Sequence, residues 1–233
     1  MLKVDKVNFF YSKVQILKNI SLRVNDGEFV SVIGPNGHGK STLLKTICGL
    51  LTPISGSIKF ENKEIIGLPV QNIVDMGLVY IAEDRYLFPE MTILENLKMG
   101  AYSRRARAKE EENLEYVFHL FPKLKVLSKH FAASLSGGEA RMLAIARGLM
   151  SNPKFLAIDE PSFGLAPNLK VKVFKTIDEI KRKGTSILLV EQSIITSNCI
   201  DRVYALEDGK FVFEGSKEDA LKNESIIKLF LGT

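Results

Sequence analysis

No apolar run approaches the roughly 20 residues that a helix needs to cross a bilayer, and no basic-then-apolar leader opens the chain. The chain is therefore expected not to span a membrane, and to serve any membrane process from its surface. Cysteine is nearly missing too. Cys48 and Cys199 lie far apart, with no histidine or second thiol at metal-ligand spacing. That excludes a disulfide framework and a zinc module, and points to buried thiols in a reducing compartment. No internal repeat or low-complexity tract occurs. Charge of a single sign is also lacking. The net +5 comes from basic residues interleaved with acids. The one dense run, Arg104, Arg105, Arg107 and Lys109, is followed at once by Glu110, Glu111 and Glu112, and reads as a solvated helix start. Without an aromatic ladder or an RNA-binding signature beside it, no nucleic-acid partner is expected.

What is present is a sizeable core and a dense set of motifs. With 233 residues and 45% hydrophobic content, the chain has the size of one large domain or of one domain with an inserted lobe. Strands are predicted at Leu2–Phe10 and Ile16–Val24, with a turn at Tyr11 to Lys13, making an antiparallel edge. Further strands are predicted at Phe29–Ile33, Ser57–Phe60 and Leu78–Ala82, with a turn at Pro53–Gly56 and a short helix over Val70–Met76. From Glu83 the pattern turns helical. Thr92 with Glu95 is a capping box, and a longer helix from Lys109 to Phe121 is expected to stop before Pro122. Beyond Leu135 helices and strands alternate: helix 137–150, strand 155–158, helix 168–183, strand 186–190, a hairpin through Asp208-Gly209, and a last helix capped by Ser216 and Asp219.

The stretch Gly34, Pro35, Asn36, Gly37, His38, Gly39, Lys40, Ser41, Thr42 lies between a predicted strand and a segment of helical spacing, Leu43, Leu44, Ile47 and Leu50. That order of strand, glycine-rich turn and helix is what a phosphate cradle requires. Glycine lets main-chain amides approach an anion at the positive end of a helix. Lys40 supplies a compact cation for the β- and γ-phosphates, and Ser41 supplies a hydroxyl for Mg²⁺. The expected ligand is a nucleoside polyphosphate. The buried-type run Phe155–Ile158 ends in two carboxylates. Asp159 is placed to hold Mg²⁺ opposite Ser41, and Glu160 to polarise a water for in-line attack. Ser136, Gly137, Gly138 and Glu139 form a third signal. Ser136 and Glu139 make a capping box, yet two glycines in a first turn cost about 1 kcal/mol each relative to alanine. The expense suggests close approach of a second anion to the backbone.

Phosphate loop, LSGGE and FLAIDEP, in this order and separation, resemble the ATP-binding subunit of ATP-binding cassette (ABC) transporters over essentially the whole chain. The resemblance implies an α/β fold: a P-loop NTPase core with an antiparallel β subdomain and a helical lobe inserted at about residues 84–135. It implies ATP and Mg²⁺ as cofactors, and ATP hydrolysis in a head-to-tail dimer of two such subunits, identical or different. Ser136 and Gly138 of one copy then meet the γ-phosphate held by Lys40 of the other. Tyr11 matches the family's adenine-stacking aromatic; packing on the sheet edge is its plainer alternative. Glu83 stands where most members have a glutamine near Mg²⁺ and the water, and Gln192 where most have a switch histidine. A glutamine can hydrogen-bond a γ-phosphate but cannot become cationic. Ala166 replaces a usual aspartate, and Ala140 a usual glutamine. PSFGLAP, LLVEQ, LMSNP and LFPKL look like the branched-chain amino acid importer ATPases. That implies integral permease partners, docked through the lobe with Phe88, Pro89 and Met91 as contacts, lobe core being the alternative for these three, and a cytoplasmic place on the inner face of the membrane. A lipid or lipopolysaccharide export motor is the alternative. DNA-repair ATPases need coiled-coil or zinc insertions for which this lobe has no room, and ribosome-associated ATPases typically join two cassettes.

Overall fold

The computed structural model describes residues 1–192, 197 and 199–231, and for 228–231 the backbone alone. Its centre is a six-stranded sheet of order β10-β9-β3-β8-β7-β6, formed by β3 (Phe29–Ile33), β6 (Leu78–Ile81), β7 (Phe155–Asp159), β8 (Ser186–Glu191), β9 (Arg202–Glu207) and β10 (Lys210–Gly215). Pairings β3-β8, β3-β9, β6-β7 and β7-β8 are parallel, and β9-β10 is antiparallel. Every residue of β3, β7 and β8 is buried. Near-continuous apolar runs of this kind suit parallel strands covered on both faces.

Alternate side chains serve two different cores. Phe29, Ile33, Leu156, Ile158, Ile187 and Leu189 face one, and Val30, Val32, Phe155, Ala157, Leu188 and Val190 face the other. The second core is closed by α1 (Lys40–Ile47) and by an antiparallel sheet of order β2-β1-β4-β5, made of β1 (Leu2–Tyr11), β2 (Val14–Val24), β4 (Ser55–Phe60) and β5 (Lys63–Glu64). The first is closed by α7 (Gly137–Leu149) and α8 (Pro167–Arg182). It continues into α3 (Ile93–Gly100), α5 (Glu110–Leu120) and α6 (Pro122–Val126). Between Glu83 and Leu135 lie only helices, including α4 (Arg104–Arg107), a 3-10 turn at Ala132–Ser134 and one isolated bridge from Thr92 to Phe131.

Several elements differ from the sequence expectation for identifiable reasons. Ser55 and Gly56 belong to β4 rather than to a turn, because a Cβ on Gly56 would lie 2.6 Å from the Val7 backbone where β4 crosses β1. The glycine marks a close approach, not a chain reversal. Pro122 does not only end α5; it opens α6 at a first-turn position where its missing N–H costs nothing. Helix α1 stops at Ile47, so Leu50 is exposed. β5 and α10 (Glu224–Leu231) were not legible at all. Nor is the basic run uniformly solvated. Arg104 and Arg107 are exposed, but Arg105 packs over Gly77, whose added Cβ would meet its guanidinium at 2.7 Å, and its Nε and Nη2 are buried without a partner. The Asp208-Gly209 hairpin has the positive φ at both positions (45° and 76°) that its sequence predicts. Capping boxes at Thr92, Ser136 and Ser216 are all formed.

Candidate functional site

β3 delivers the chain into the loop at Gly34, and α1 takes over at Lys40. A Cβ on Gly34 would sit 2.5 Å from the Leu206 carbonyl oxygen of β9, so glycine is the only residue that lets the loop leave the sheet here. Gly37 and Gly39 adopt φ of 83° and 102°, and Gly39 at the N-cap of α1 offers no side-chain cap. The first-turn amides of α1 consequently keep their donors for an anion. Lys40 is buried. Its Nζ donates to the Pro35 carbonyl at 3.1 Å and pairs with Glu160 Oε1 at 3.1 Å.

The two carboxylates at the end of β7 have different surroundings. Asp159, the last strand residue, accepts from Ser41 Oγ at 2.9 Å and from the Tyr80 hydroxyl at 2.7 Å. Burial pushes its carboxyl upward, against the pull of these two donors. Glu160 leaves the sheet with φ 42°, a left-handed conformation costly for a glutamate, while its amide still pairs with the Val190 carbonyl at 3.0 Å. Its second oxygen accepts from Gln192 Nε2 at 2.7 Å. Glu83, half-buried just beyond β6, is raised by burial first and then by Glu160 and Asp159. The three carboxylates thus repel one another, and the Arg141 guanidinium offsets part of that charge at Glu83.

These groups border a cavity of about 390 Å³. Asn36, Gly37, Gly39, Lys40, Ser41 and Thr42 of the glycine-rich loop and α1 line it, together with Glu83, Glu160 and Gln192 and with Tyr11, Ile16 and Phe163. Tyr11 is half-exposed and set edge-on to Phe9 at 4.9 Å, so it both caps the sheet edge and presents a face to the cavity. Gly34, Pro35, His38 and Asp159 are behind or beside the lining. His38 turns away: its Nδ1 accepts the Asp208 amide at 2.9 Å, tying the loop to the hairpin. Ser136, Gly137 and Gly138 do not border the cavity. Ser136 and Gly137 are exposed, and the Ser136 hydroxyl donates to Glu139 at 2.7 Å. Hydrogen bonds from Lys123 and Ser136 lower the Glu139 carboxyl to about 2.

Gly138 is buried, and a Cβ added to it would lie 2.6 Å from Leu169 Cδ1 of α8, so this glycine also lets the two helices pack closely. Gly137, with only the Arg85 guanidinium at 3.8 Å, is the one open to approach. Gly138→Ala is expected to lower the stability of the isolated chain by about 1–3 kcal/mol through overpacking, whereas Gly137→Ala stays within about 1 kcal/mol. Thermal unfolding of the nucleotide-free variants measures both.

Residues that sequence reasoning missed are Ile16, Phe163, Tyr80, Glu191 and Arg141. Glu191 is buried, raised by burial, and accepts the Ser162 amide at 3.0 Å, bracing the loop after Glu160. Arg141 is buried and donates from Nη1 to the Ala82 carbonyl at 3.2 Å. The only sequence signal for Glu191 was an acid at the end of an otherwise apolar strand.

Comparison with known proteins agrees with this architecture. The model of the family described as ABC transporter matches residues 17–163. The high-affinity branched-chain amino acid transport ATP-binding protein BraG of Pseudomonas aeruginosa is 41% identical over the full length of both chains. The lipopolysaccharide export system ATP-binding protein LptB of Haemophilus influenzae is 29% identical, covering 95% of this chain and 93% of its own. Among solved structures, a nucleotide-free ATP-binding cassette from an ABC transporter superposes with TM-score 0.86 at 31% identity, covering 100% and 99%. A dimeric cassette in a post-hydrolysis state bound to ADP and Pi gives 0.81 at 25%, covering 93% and 99%. The chain belongs to the ABC transporter family. It is an ATP-binding subunit of that family, an ATPase that serves as a transport motor.

Proposed function

We propose that this chain is the ATP-hydrolysing subunit of an importer for branched-chain or related amino acids, working as a dimer of cassettes on the cytoplasmic face of a membrane. The whole chain is one such cassette, with residues of about 84–135 as its inserted helical lobe. Full-length similarity to BraG supports the substrate class over export, for which LptB is the less similar counterpart. The observation that carries the dimer is the exposure of Ser136 and Gly137 outside the cavity. An exposed anion site at a helix start, outside the cavity of its own chain, fits the γ-phosphate bound by a partner.

Each side chain has a separable task. Lys40 offsets charge on the β- and γ-phosphates, Tyr11 stacks on adenine, and Glu160 accepts the proton of the attacking water. Gln192 holds Glu160 through their 2.7 Å hydrogen bond, and Glu83 supports the metal and water. Mg²⁺ suits the donors present. The Ser41 hydroxyl and the Asp159 carboxylate are hard oxygens 2.9 Å apart, and this ion is ordinarily held by one or two carboxylates together with phosphates and water. When bound, it neutralises charge developing on the phosphate oxygens. Lys40 also pairs with Glu160, so the lysine that would meet the phosphates is held beside the carboxylate that would meet the water.

Among the described residues no helix is long and apolar enough to cross a membrane, so transport needs integral permeases. A groove of about 930 Å³ is the proposed dock. Tyr86, Phe88, Met99 and Tyr102 line it, all exposed. Phe88 is therefore surface rather than lobe core, with the Arg147 guanidinium 5.6 Å from its ring, whereas Pro89 and Met91 do not line the groove. Co-expression with candidate permeases and a substrate-binding protein, followed by ATP-dependent uptake of leucine, isoleucine and valine into vesicles, tests the assignment. Uptake supports it; extraction of lipopolysaccharide instead would move the chain to the export class.

A further inference from the structure

The groove and the metal site share one residue. Tyr80 lies in β6 and is one of the residues that line the groove, with Leu50 and Val74. Its side chain packs on the Ala157 face of the sheet, and its hydroxyl donates to Asp159 Oδ2 at 2.7 Å, while Ser41 donates to Oδ1 at 2.9 Å. Strand β6 pairs in parallel with β7, in register Tyr80 to Ala157 and Ile81 to Ile158, which sets the ring one strand away from the carboxylate it reaches. Elsewhere in β6 the buried residues are aliphatic. A phenol at this position is the single polar tip of the strand, and that tip is spent on Asp159.

We propose that Tyr80 is a positioning residue for Asp159, and that it links occupancy of the groove to the readiness of the Mg²⁺ site. This inference rests on the reading of Asp159 as a Mg²⁺ ligand. With Oδ2 fixed by the phenol, the carboxylate presents Oδ1 toward Ser41 in one orientation. Partners that orient a metal-binding carboxylate commonly matter almost as much as the ligand itself. Because Tyr80 lines the groove, a segment seated there presses on the group that aims the carboxylate. Coupling of this kind is reciprocal: whatever shifts Tyr80 from the groove changes Mg²⁺ affinity, and Mg²⁺ binding is felt in the groove.

The test uses a fluorescent ATP analogue bound to the full chain, in EDTA and across a Mg²⁺ titration. Tyr80→Phe keeps the ring and removes only the hydroxyl. The expected result is about a tenfold rise in the Mg²⁺ concentration that supports tight nucleotide binding, with affinity in EDTA unchanged and the thermal transition of the free chain within a few degrees of the parent. Asp159→Asn is the control for the underlying reading. If it leaves the Mg²⁺ dependence unaltered, the metal assignment fails and this inference with it. If it abolishes the dependence while Tyr80→Phe matches the parent, the metal assignment stands and Tyr80 has no part in it. The groove arm exploits the absence of tryptophan from the chain. Val74→Trp places a sole indole among the groove residues. Its Mg²⁺-dependent emission change, measured above the ATP-in-EDTA baseline, should fall at least threefold when Tyr80→Phe is added; an equal response in both proteins overturns the link.

Discussion

Glu160→Gln is expected to turn the protein into an ATP-bound dimer with hydrolysis reduced about 10²–10⁴-fold, the range associated with loss of a positioned general base. Two effects of the substitution act together. The amide cannot take the proton of an attacking water, so the chemical step stalls. It also removes the charge that engages Lys40 at 3.1 Å. The lysine is then released to the incoming phosphates without a competitor, and ATP affinity rises while turnover falls. Size-exclusion chromatography with Mg·ATP should show the dimer for this variant and a monomer in EDTA. Single-turnover hydrolysis gives the rate. A variant that hydrolyses like the parent removes Glu160 from its role, whatever its oligomeric state.

Lys40→Ala acts at the opposite end of the same pair. Charge-assisted contacts contribute about 1.5–3 kcal/mol each, so losing one to each of two phosphates lowers ATP affinity by about 10²–10⁴-fold, below the limit of ordinary titrations. The substitution has a second cost. Lys40 and Glu160 are both nearly fully buried, with side-chain exposures of 3% and 7%, and stripping the cation from such a pair costs about 3–5 kcal/mol. The variant should therefore melt earlier as well as fail to bind. Adding Glu160→Gln separates the two effects: the double variant is expected to regain much of its stability but none of its affinity. Parent-like ATP binding by Lys40→Ala would end the phosphate-loop assignment.

Local signals were the ones read correctly from the chain. Capping boxes at Thr92, Ser136 and Ser216, the Asp-Gly hairpin and the strand-to-helix glycine loop are each specified within a few residues. The same locality explains the misreadings. Gly56 looks like a turn residue until the strand across from it is known; it instead makes room for the Val7 backbone. Arg105 belongs to a basic run by sequence but to a packed surface by position.

Which residues are candidates for the site was legible in the chain alone. Lys40, Ser41, Asp159 and Glu160 stand out because they carry the functional groups that phosphate, metal and water would each demand, placed where a strand ends or a helix begins. Which of those groups touch one another was decided only by the tertiary structure. Asp159 meets Tyr80 across two adjacent strands, Glu160 meets both Lys40 and Gln192, and Ser136 lies outside the cavity its motif is thought to serve. Those contacts join residues up to 120 positions apart in the chain. They arise from sheet order and register, which depend on how distant apolar faces bury one another, and that information is spread over the whole chain rather than carried by any motif.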